Sequence, residues 1–394
     1  MLGDPPSIHN RPWSPRRRTL IMGAMGADTD IVEVNLPGRA YSINIGAGTI
    51  AQLGSSLRDL SAARRAAIIT DSNVGPLYGQ ALADSLAAAG FDLVTLTVPA
   101  GELSKSLQQA ERLYDRLADR RAGRGDPIIA LGGGVVGDLA GFVAATWLRG
   151  VPLVQCPTTL EADIDAGVGG KTAVNHPCGK NLIGAFHQPM LVCIDVDCLR
   201  TLSDRDYRAA LAESVKHALI AGEEFFHWHE DHAEAVLRRD PEILRELIRR
   251  NCQIKASVVI EDEREDATRA IGRAALNLGH TIGHALEAQF DYSLRHGEAV
   301  SLGLIAALDL AVRHTGFSEV NRRRTEALLG LLELPIRCPA ALDVPDLLSR
   351  ITLDKKNRHQ ALRFVSLQRI GALRWLDEPD EASIQQAIDR IATP

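Results

Sequence analysis

Up to about residue 200, short dense apolar runs alternate with segments whose apolar residues recur every three or four positions. The runs YSINIGAG, AAIITDSN, DLVTLTVP, DPIIALGGG, VPLVQCPTT and MLVCIDVD have the length and composition of buried strands. SLRDLSAAR, LYGQALADSLAAAG, SLQQAERLYDRLADR and LAGFVAATWLRG carry helical spacing. Strands separated by helices need crossover connections, so this half predicts a largely parallel sheet. After Thr201 the pattern turns helical. Ser203 is placed to N-cap DRDYRAALAESVKHALI. EEFFHWHEDHAEAVLRR, PEILRELIRRNCQIKASVVIEDERE, RAALNLGHTIGHALEAQF, GEAVSLGLIAALDLAVRHTG and VNRRRTEALLGLLE follow, and LRFVSLQRIGALRWLDE reads as two strands turning at Ile370-Gly371. The pattern predicts an α/β nucleotide-binding domain with a mostly parallel sheet at residues 29–203. A mostly α-helical domain at 204–394 follows, and an arm of residues 1–28 precedes both.

A length of 394 residues accommodates two domains, each with its own core. Hydrophobic residues at 45% and charged residues at 24% are ordinary for a globular chain. The net charge of −6 argues against a general nucleic-acid or membrane-surface binder. Apolar runs are broken by charge or glycine before they reach bilayer-spanning length. Six cysteines without a C-x-x-C pair point to a reduced, cytoplasmic protein. The first 28 residues are basic and proline-bearing and lack the apolar stretch of a secretory signal; they read as a disordered tail or an overlong start, with Met22 and Met25 as alternative starts.

Chemistry concentrates in residues 131–188, where two glycine clusters, Lys171, Lys180 and Asn181 lie close together. PIIALGGGVVGDLAGF is a strand, a glycine turn and a helix start, which aims free N–H groups and a helix dipole at a pyrophosphate. Such turns also occur merely as tight turns, but two further strand ends carry ligand-type residues. Asp71 and Asn73 suit ribose or adenine, and Thr158 and Thr159 offer hydroxyls at the same sheet edge. The order differs from a Rossmann fingerprint, because Asp71 precedes the glycines. GGKT is not a Walker A loop either, since Asp165 stands where its first glycine belongs.

NLGHTIGH sets His280 and His284 four residues apart, His296 follows in SLRHGEAV, and Glu213 sits within ALAESVKH. Two histidines and a carboxylate from separate elements make a catalytic-type zinc site with an open position. Spacing alone leaves open which two histidines bind; the i,i+4 relation favours His280 with His284. Lys216 shares a helical face with Glu213, a spacing usually seen in solvated surface pairs, but the Ala, Leu and Val neighbours suggest that this face is buried.

GGGVVGD, the PTT turn, DAGVGGKTAVNHPCGKN, LAESVK, NLGHTIGHALE, HGEAV and LDKK together resemble the 3-dehydroquinate synthases of the shikimate pathway, from about residue 31 to the C-terminus. The resemblance implies a homodimer using NAD+ and Zn2+ (or Co2+) between the two domains. It implies metal ligands Glu213, His280 and His296, with His284 lining the substrate instead. NAD+ contacts would be Asp71, Asn73, Gly101, Glu102, Lys105, Gly133, Gly134, Val135, Val136, Gly137, Asp138, Thr158, Thr159, Lys171, Lys180 and Thr201. Asp165 would serve the nicotinamide end and the reacting hydroxyl. Lys171, Asn181 and Asn277 would take the phosphate end, with Arg149 reaching in from the dimer partner. Arg273 would clamp the carboxylate, and Lys180, Lys216, Lys255 and one of Lys355 or Lys356 would complete the polar lining. The implied reaction takes the phosphorylated sugar acid 3-deoxy-D-arabino-heptulosonate 7-phosphate to 3-dehydroquinate and phosphate. Its steps are transient oxidation by NAD+, β-elimination, reduction and intramolecular aldol closure.

Competing expectations are another sugar phosphate cyclase (an aminodehydroquinate or valiolone-type synthase) or a metal-dependent polyol or glycerol-phosphate dehydrogenase. Arg273, Asn277 and His284, which serve a carboxylated substrate, favour dehydroquinate. The chain departs from the family pattern at several positions. Leu160-Glu161-Ala162-Asp163-Ile164-Asp165 replaces an expected Leu-Leu-Ala-Gln-Val-Asp, Ser214 and His217 are unusual, and the stretch from Glu265 to Arg273 is about four residues longer.

Overall fold

A computed structural model describes residues 29–266, 271–358 and 362–393, the side chains of 352–358 excepted. The expected arm at 1–28 lies outside the described residues. The strands are β1 (Asp30–Val34), β2 (Tyr41–Gly46), β3 (Arg65–Asp71), β4 (Asp92–Val98), β5 (Ile128–Gly132), β6 (Leu153–Pro157), β7 (Lys171–His176), β8 (Gly179–Phe186), β9 (Leu191–Asp195), β10 (Arg363–Arg369) and β11 (Ala372–Asp377). The helices are α1 (Leu53–Leu60), α2 (Gln80–Ala88), α3 (Leu107–Asp119), α4 (Gly134–Thr146), α5 (Asp204–Ala221), α6 (Glu223–Leu237), α7 (Pro241–Glu261), α8 (His280–Gln289), α9 (His296–His314), α10 (Glu319–Leu331), α11 (Val344–Arg358) and α12 (Glu381–Ile391). Seven strands form one sheet in the order β1-β2-β9-β6-β5-β3-β4, parallel except for the antiparallel β1–β2 edge. The parallel α/β half and the helical half predicted from the apolar pattern are both present.

Strand order reverses between β3 and β5. The chain leaves β3 toward β4 on one side and leaves β5 toward β6 on the other. The two connections diverge there and leave a crevice at the carboxyl ends of β3 and β5, the place where open α/β sheets bind ligands. All five residues of β5, β6 and β9 are buried, which accounts for their unbroken apolar runs.

Ser203 caps α5 as expected, its side chain accepting from the Asp206 N–H. The stretch RAALNLGHTIGHALEAQF is not one helix. A 3-10 turn at Gly272–Asn277 ends at Gly279, whose φ of +79° lies in the left-handed region, and α8 starts afresh at His280. The hairpin of β7 and β8 went unread in the sequence because its glycines and lysines suggest a ligand loop. Thr172, Ala173 and Val174 are nonetheless buried on α4. The β10–β11 hairpin turns at Ile370-Gly371 as expected.

The largest apolar core crosses from sheet to helices. Ile43, Ile45, Val192 and Ile194 share it with Leu211, Val215, Leu247, Val259, Leu304 and Ile388. Within the helical half, α8 and α9 approach at bare backbone. A Cβ on Gly303 would lie 2.1 Å from the Gly279 carbonyl oxygen and 3.0 Å from the Gly283 nitrogen. This crossing fixes His280 relative to His296. Gly303→Ala is therefore expected to destabilise by about 2 kcal/mol through overpacking, read as a lower unfolding midpoint. Gly330→Ala, at an exposed position of α10 with open space around it, is expected to leave the midpoint unchanged or slightly raised.

Candidate active site

The glycine turn stands at the sheet crevice. Gly133 is the N-cap of α4, and a Cβ there would lie 2.9 Å from Thr159 Cγ2. The backbone of Gly133, Gly134, Val135, Val136 and Gly137 thus opens a helix N-terminus beside Thr158 and Thr159. Thr158 Oγ1 is buried with no hydrogen-bond partner among the described residues. Asp71 ends β3, and its Oδ1 accepts from the Asn73 and Val74 N–H groups at 2.8 and 2.9 Å. Lys105 is buried in an ion pair with Asp138. Burial raises the Asp138 carboxyl and Lys105 opposes it. Glu102, preceded by Gly101 at φ +103°, accepts from Asn175 Nδ2 at 2.7 Å, and Asn175 Oδ1 accepts from the Asn181 N–H at 3.0 Å. The Thr201 hydroxyl lies 2.5 Å from that of Tyr78.

Glu213 on α5, His280 at the first position of α8 and His296 at the first position of α9 bring their ligand atoms within 4.8 Å of one another. His280 Nε2 and His296 Nε2 lie 3.4 and 3.3 Å from Glu213 Oε1. Glu213 and Lys216 are fully buried and paired, as their Ala, Leu and Val neighbours suggest, and do not form the usual solvated i,i+3 surface pair. Burial alone would raise the Glu213 carboxyl. Lys216, His280 and His296 outweigh it and hold the group well below the usual range, so it is a carboxylate. Both its oxygens lack an aligned hydrogen-bond donor among the described residues. Burial and the Lys216 charge bring His280 down to about 3, leaving a neutral imidazole.

The outer ring nitrogens are held as metal-ligating histidines hold theirs. His280 Nδ1 donates to the Leu278 carbonyl at 3.2 Å, and His296 Nδ1 lies 3.3 Å from Glu287 Oε2. Burial lowers the His296 imidazole, but the adjoining Glu213 and Glu287 carboxylates hold it well above its ordinary value. An anionic oxygen donor, a neutral imidazole and a second imidazole braced by a carboxylate suit a divalent ion of the zinc type. His284, His296 and Glu287 also cluster. Glu287 there is already engaged with His296, and Lys180 Nζ lies 3.7 Å from its other oxygen. Glu287 was not singled out in the sequence; its place one helical turn beyond His284 in NLGHTIGHALE was the available signal.

The turn at Ala162–Ala166 joins the two regions. A Cβ on Gly134 would lie 3.5 Å from Ala166, and the neighbouring Asp165 pairs with Lys255 Nζ through both its carboxylate and its carbonyl. Burial would raise Asp165, but Lys255 and Lys216 outweigh it and hold the group low. Burial brings Lys255 down to about 8 against the pull of Asp165. Arg273 is 1% exposed, donating to the Glu263 carbonyl at 2.8 Å and the Gly169 carbonyl at 3.0 Å, with its Nε unpartnered among the described residues. Lys171 Nζ and Asn277 Nδ2 both donate to Glu265, at 2.6 and 3.3 Å. His284 is exposed to the cleft. Arg149 sits exposed on the turn after α4. Lys355 and Lys356 lie outside the residues whose side chains are described.

Residues 95–209 match the description 3-dehydroquinate synthase N-terminal, and residues 210–357 match 3-dehydroquinate synthase C-terminal. A curated 3-dehydroquinate synthase of Symbiobacterium thermophilum is 48% identical over 349 residues, 85% of this chain and 96% of the relative. The chain belongs to the 3-dehydroquinate synthase family. Solved structures of similar shape include 2-epi-5-epi-valiolone synthase from Streptomyces hygroscopicus with NAD+ and Zn2+ bound, at TM-score 0.81 and 28% identity over 89% of this chain and 96% of that one. Another is 2-deoxy-scyllo-inosose synthase complexed with carbaglucose-6-phosphate, NAD+ and Co2+, at TM-score 0.82 and 26% identity over 91% and 99%.

The departures from the family pattern separate on inspection. Asp163 points into the core at 1% exposure, has no donor on either oxygen among the described residues and is held well above the usual carboxyl range by burial. Glu161 instead senses the metal-type cluster. Burial raises it, His296 opposes, and Glu213 adds to the rise. Ser214 and His217 belong to a buried chain behind Glu213. His217 Nδ1 meets Asn251 Oδ1 at 2.8 Å, Asn251 Nδ2 donates to Ser214 Oγ at 2.7 Å, and Ser214 Oγ lies 2.9 Å from His229 Nε2.

Two outcomes are expected. Glu287→Gln should weaken divalent metal binding by about 10- to 100-fold in chelator competition. His296→Ala should abolish it and His284→Ala should retain it; metal lost with His284→Ala but kept with Glu213→Gln would move the site to the second cluster. Separately, burial lowers His217 to about 4 and His229 to about 3. Below pH ~6.5 the unfolded chain binds protons that the folded chain refuses, so stability falls as pH drops toward 4, by about 1.4 kcal/mol per unit per histidine. Thermal melts of metal-free protein between pH 7 and 4.5 should show this slope. His229→Gln should make it shallower by about one proton.

Proposed function

We propose that this chain acts as a 3-dehydroquinate synthase. In this reading it is a phosphate-eliminating lyase that converts 3-deoxy-D-arabino-heptulosonate 7-phosphate to 3-dehydroquinate and inorganic phosphate. The observation that carries the reading is the approach of Glu213, His280 and His296 in one buried cluster, with Asp165–Lys255 between it and the glycine turn. Glu213, His280 and His296 would hold Zn2+ or Co2+, whose Lewis acidity lowers the pKa of a substrate hydroxyl. The helix start at Gly133–Gly137, with Asp71, Thr158 and Thr159, would hold NAD+, which accepts a hydride and returns it within the turnover.

The chain's own residues divide the remaining work. Asp165 is anionic, and its ion pair would orient Lys255 beside the reacting hydroxyl. Lys255 Nζ, held near 8, is the group suited to exchange a proton with that hydroxyl close to neutral pH. Lys171, Asn181 and Asn277 would take the phosphate end, Lys180 would contact NAD+, and the Arg273 guanidinium, whose Nε is unpartnered among the described residues, would face the carboxylate. His284, open to the cleft, would line the substrate. Binding one flexible substrate in successive geometries supplies much of the acceleration. We further infer a domain division at residues 203/204. Arg149 on its exposed turn supports a homodimer in which it completes a neighbour's site. Free cysteines throughout the described residues support a reducing, cytoplasmic setting.

The purified protein is expected to release inorganic phosphate from the heptulosonate phosphate with only trace NAD+. NADH accumulating one-for-one with product would favour a dehydrogenase. Turnover of sedoheptulose 7-phosphate alone would favour a valiolone-type cyclase.

A further inference from the structure

Glu265 accepts from two donors of the proposed phosphate end: Lys171 on β7 at 2.6 Å and Asn277 in the turn before α8 at 3.3 Å. The contacts tie three segments separated by 94 and 12 residues, unlike the i,i+4 pairs that decorate helix surfaces here. The backbone at Glu265 has φ of +56°, rare for a residue with a side chain. Lys171, Asn277 and the field of Arg273 hold its carboxyl below the usual range against burial.

We propose that Glu265 is an internal anion that holds Lys171 and Asn277 in place until the phosphate of the substrate displaces it, so that Glu265 is a positioning residue setting affinity for phosphate. The inference rests on the reading of Lys171 and Asn277 as the phosphate end. A carboxylate offers two oxygens and one charge. A phosphate offers more acceptors and close to two charges, so it takes the same donors in exchange. Because Lys171 and Glu265 are each at least one-third exposed, the pair is cheap to break. Glu265 would then lower phosphate affinity modestly, and its return would speed release of the product phosphate.

The test is the Kd of inorganic phosphate for the metal- and NAD+-loaded protein, by calorimetry and by competition with substrate. Glu265→Gln is expected to bind phosphate about three- to tenfold tighter, with a lower substrate KM and an unchanged or lower kcat. Glu265→Asp should fall between. Adding Lys171→Gln should erase the difference in phosphate affinity between the unsubstituted protein and Glu265→Gln. Equal or weaker phosphate binding by Glu265→Gln, with an unchanged melting midpoint and with Lys171→Gln still impaired, would overturn the role of Glu265 alone. Phosphate binding insensitive to Lys171→Gln would overturn the phosphate-end reading and the proposal with it.

Discussion

A carboxylate that water cannot reach governs this architecture. Glu213 is buried on α5 with one ammonium and two imidazoles around it and no aligned donor among the described residues. An isolated buried anion would be strongly unfavourable, and removing one partner of such a group costs several kcal/mol. Those partners come from three helices, so α5, α8 and α9 must meet within hydrogen-bond distances of one point. The backbone contact of Gly303 with Gly279 and Gly283 makes that meeting possible. The bidentate Arg205–Glu298 pair, with Glu298 also accepting from the Arg295 N–H, fixes where α9 begins and so where His296 stands.

A second buried ion pair, Asp165–Lys255, repeats the logic nearer the sheet. It fastens the turn after β6 to α7 and lies between the nucleotide-type crevice and the metal-type cluster. The hairpin of β7 and β8 spans the same gap. It carries Lys171 toward Glu265 and Lys180 toward Glu287, while its Asn175 reaches Glu102. Charge is therefore distributed along the cleft as lysine–carboxylate pairs, a lining that an anionic, multiply oxygenated substrate can enter by exchange.

Much of this was legible in the chain. Unbroken apolar runs marked β5, β6 and β9 because both their faces are covered, and Ser203 announced α5 through its free side-chain acceptor. The family motifs placed His296 rather than His284 beside Glu213; spacing alone pointed the other way, because i,i+4 neighbours on α8 look like joint ligands until the N-terminus of α9 is positioned in space. Glu287 and Glu265 escaped notice because their roles depend on partners far away in sequence. The hairpin was hidden by composition, its strands holding lysine, asparagine and glycine where buried strands hold valine and isoleucine. Glu161 and Asp163 sit two residues apart in the same turn yet face opposite ways, which periodicity cannot resolve in a wide five-residue turn.

The apolar interior shared by β1, β2 and β9 with α5, α7 and α9 has a mechanical consequence. Severing the chain between Leu202 and Ser203 would strip each fragment of its greasy lining, so neither half is a freely swinging jaw. Any opening for ligands then falls to the rim, such as the ribbon of β8, which has no buried residue, rather than to a parting of the shared core.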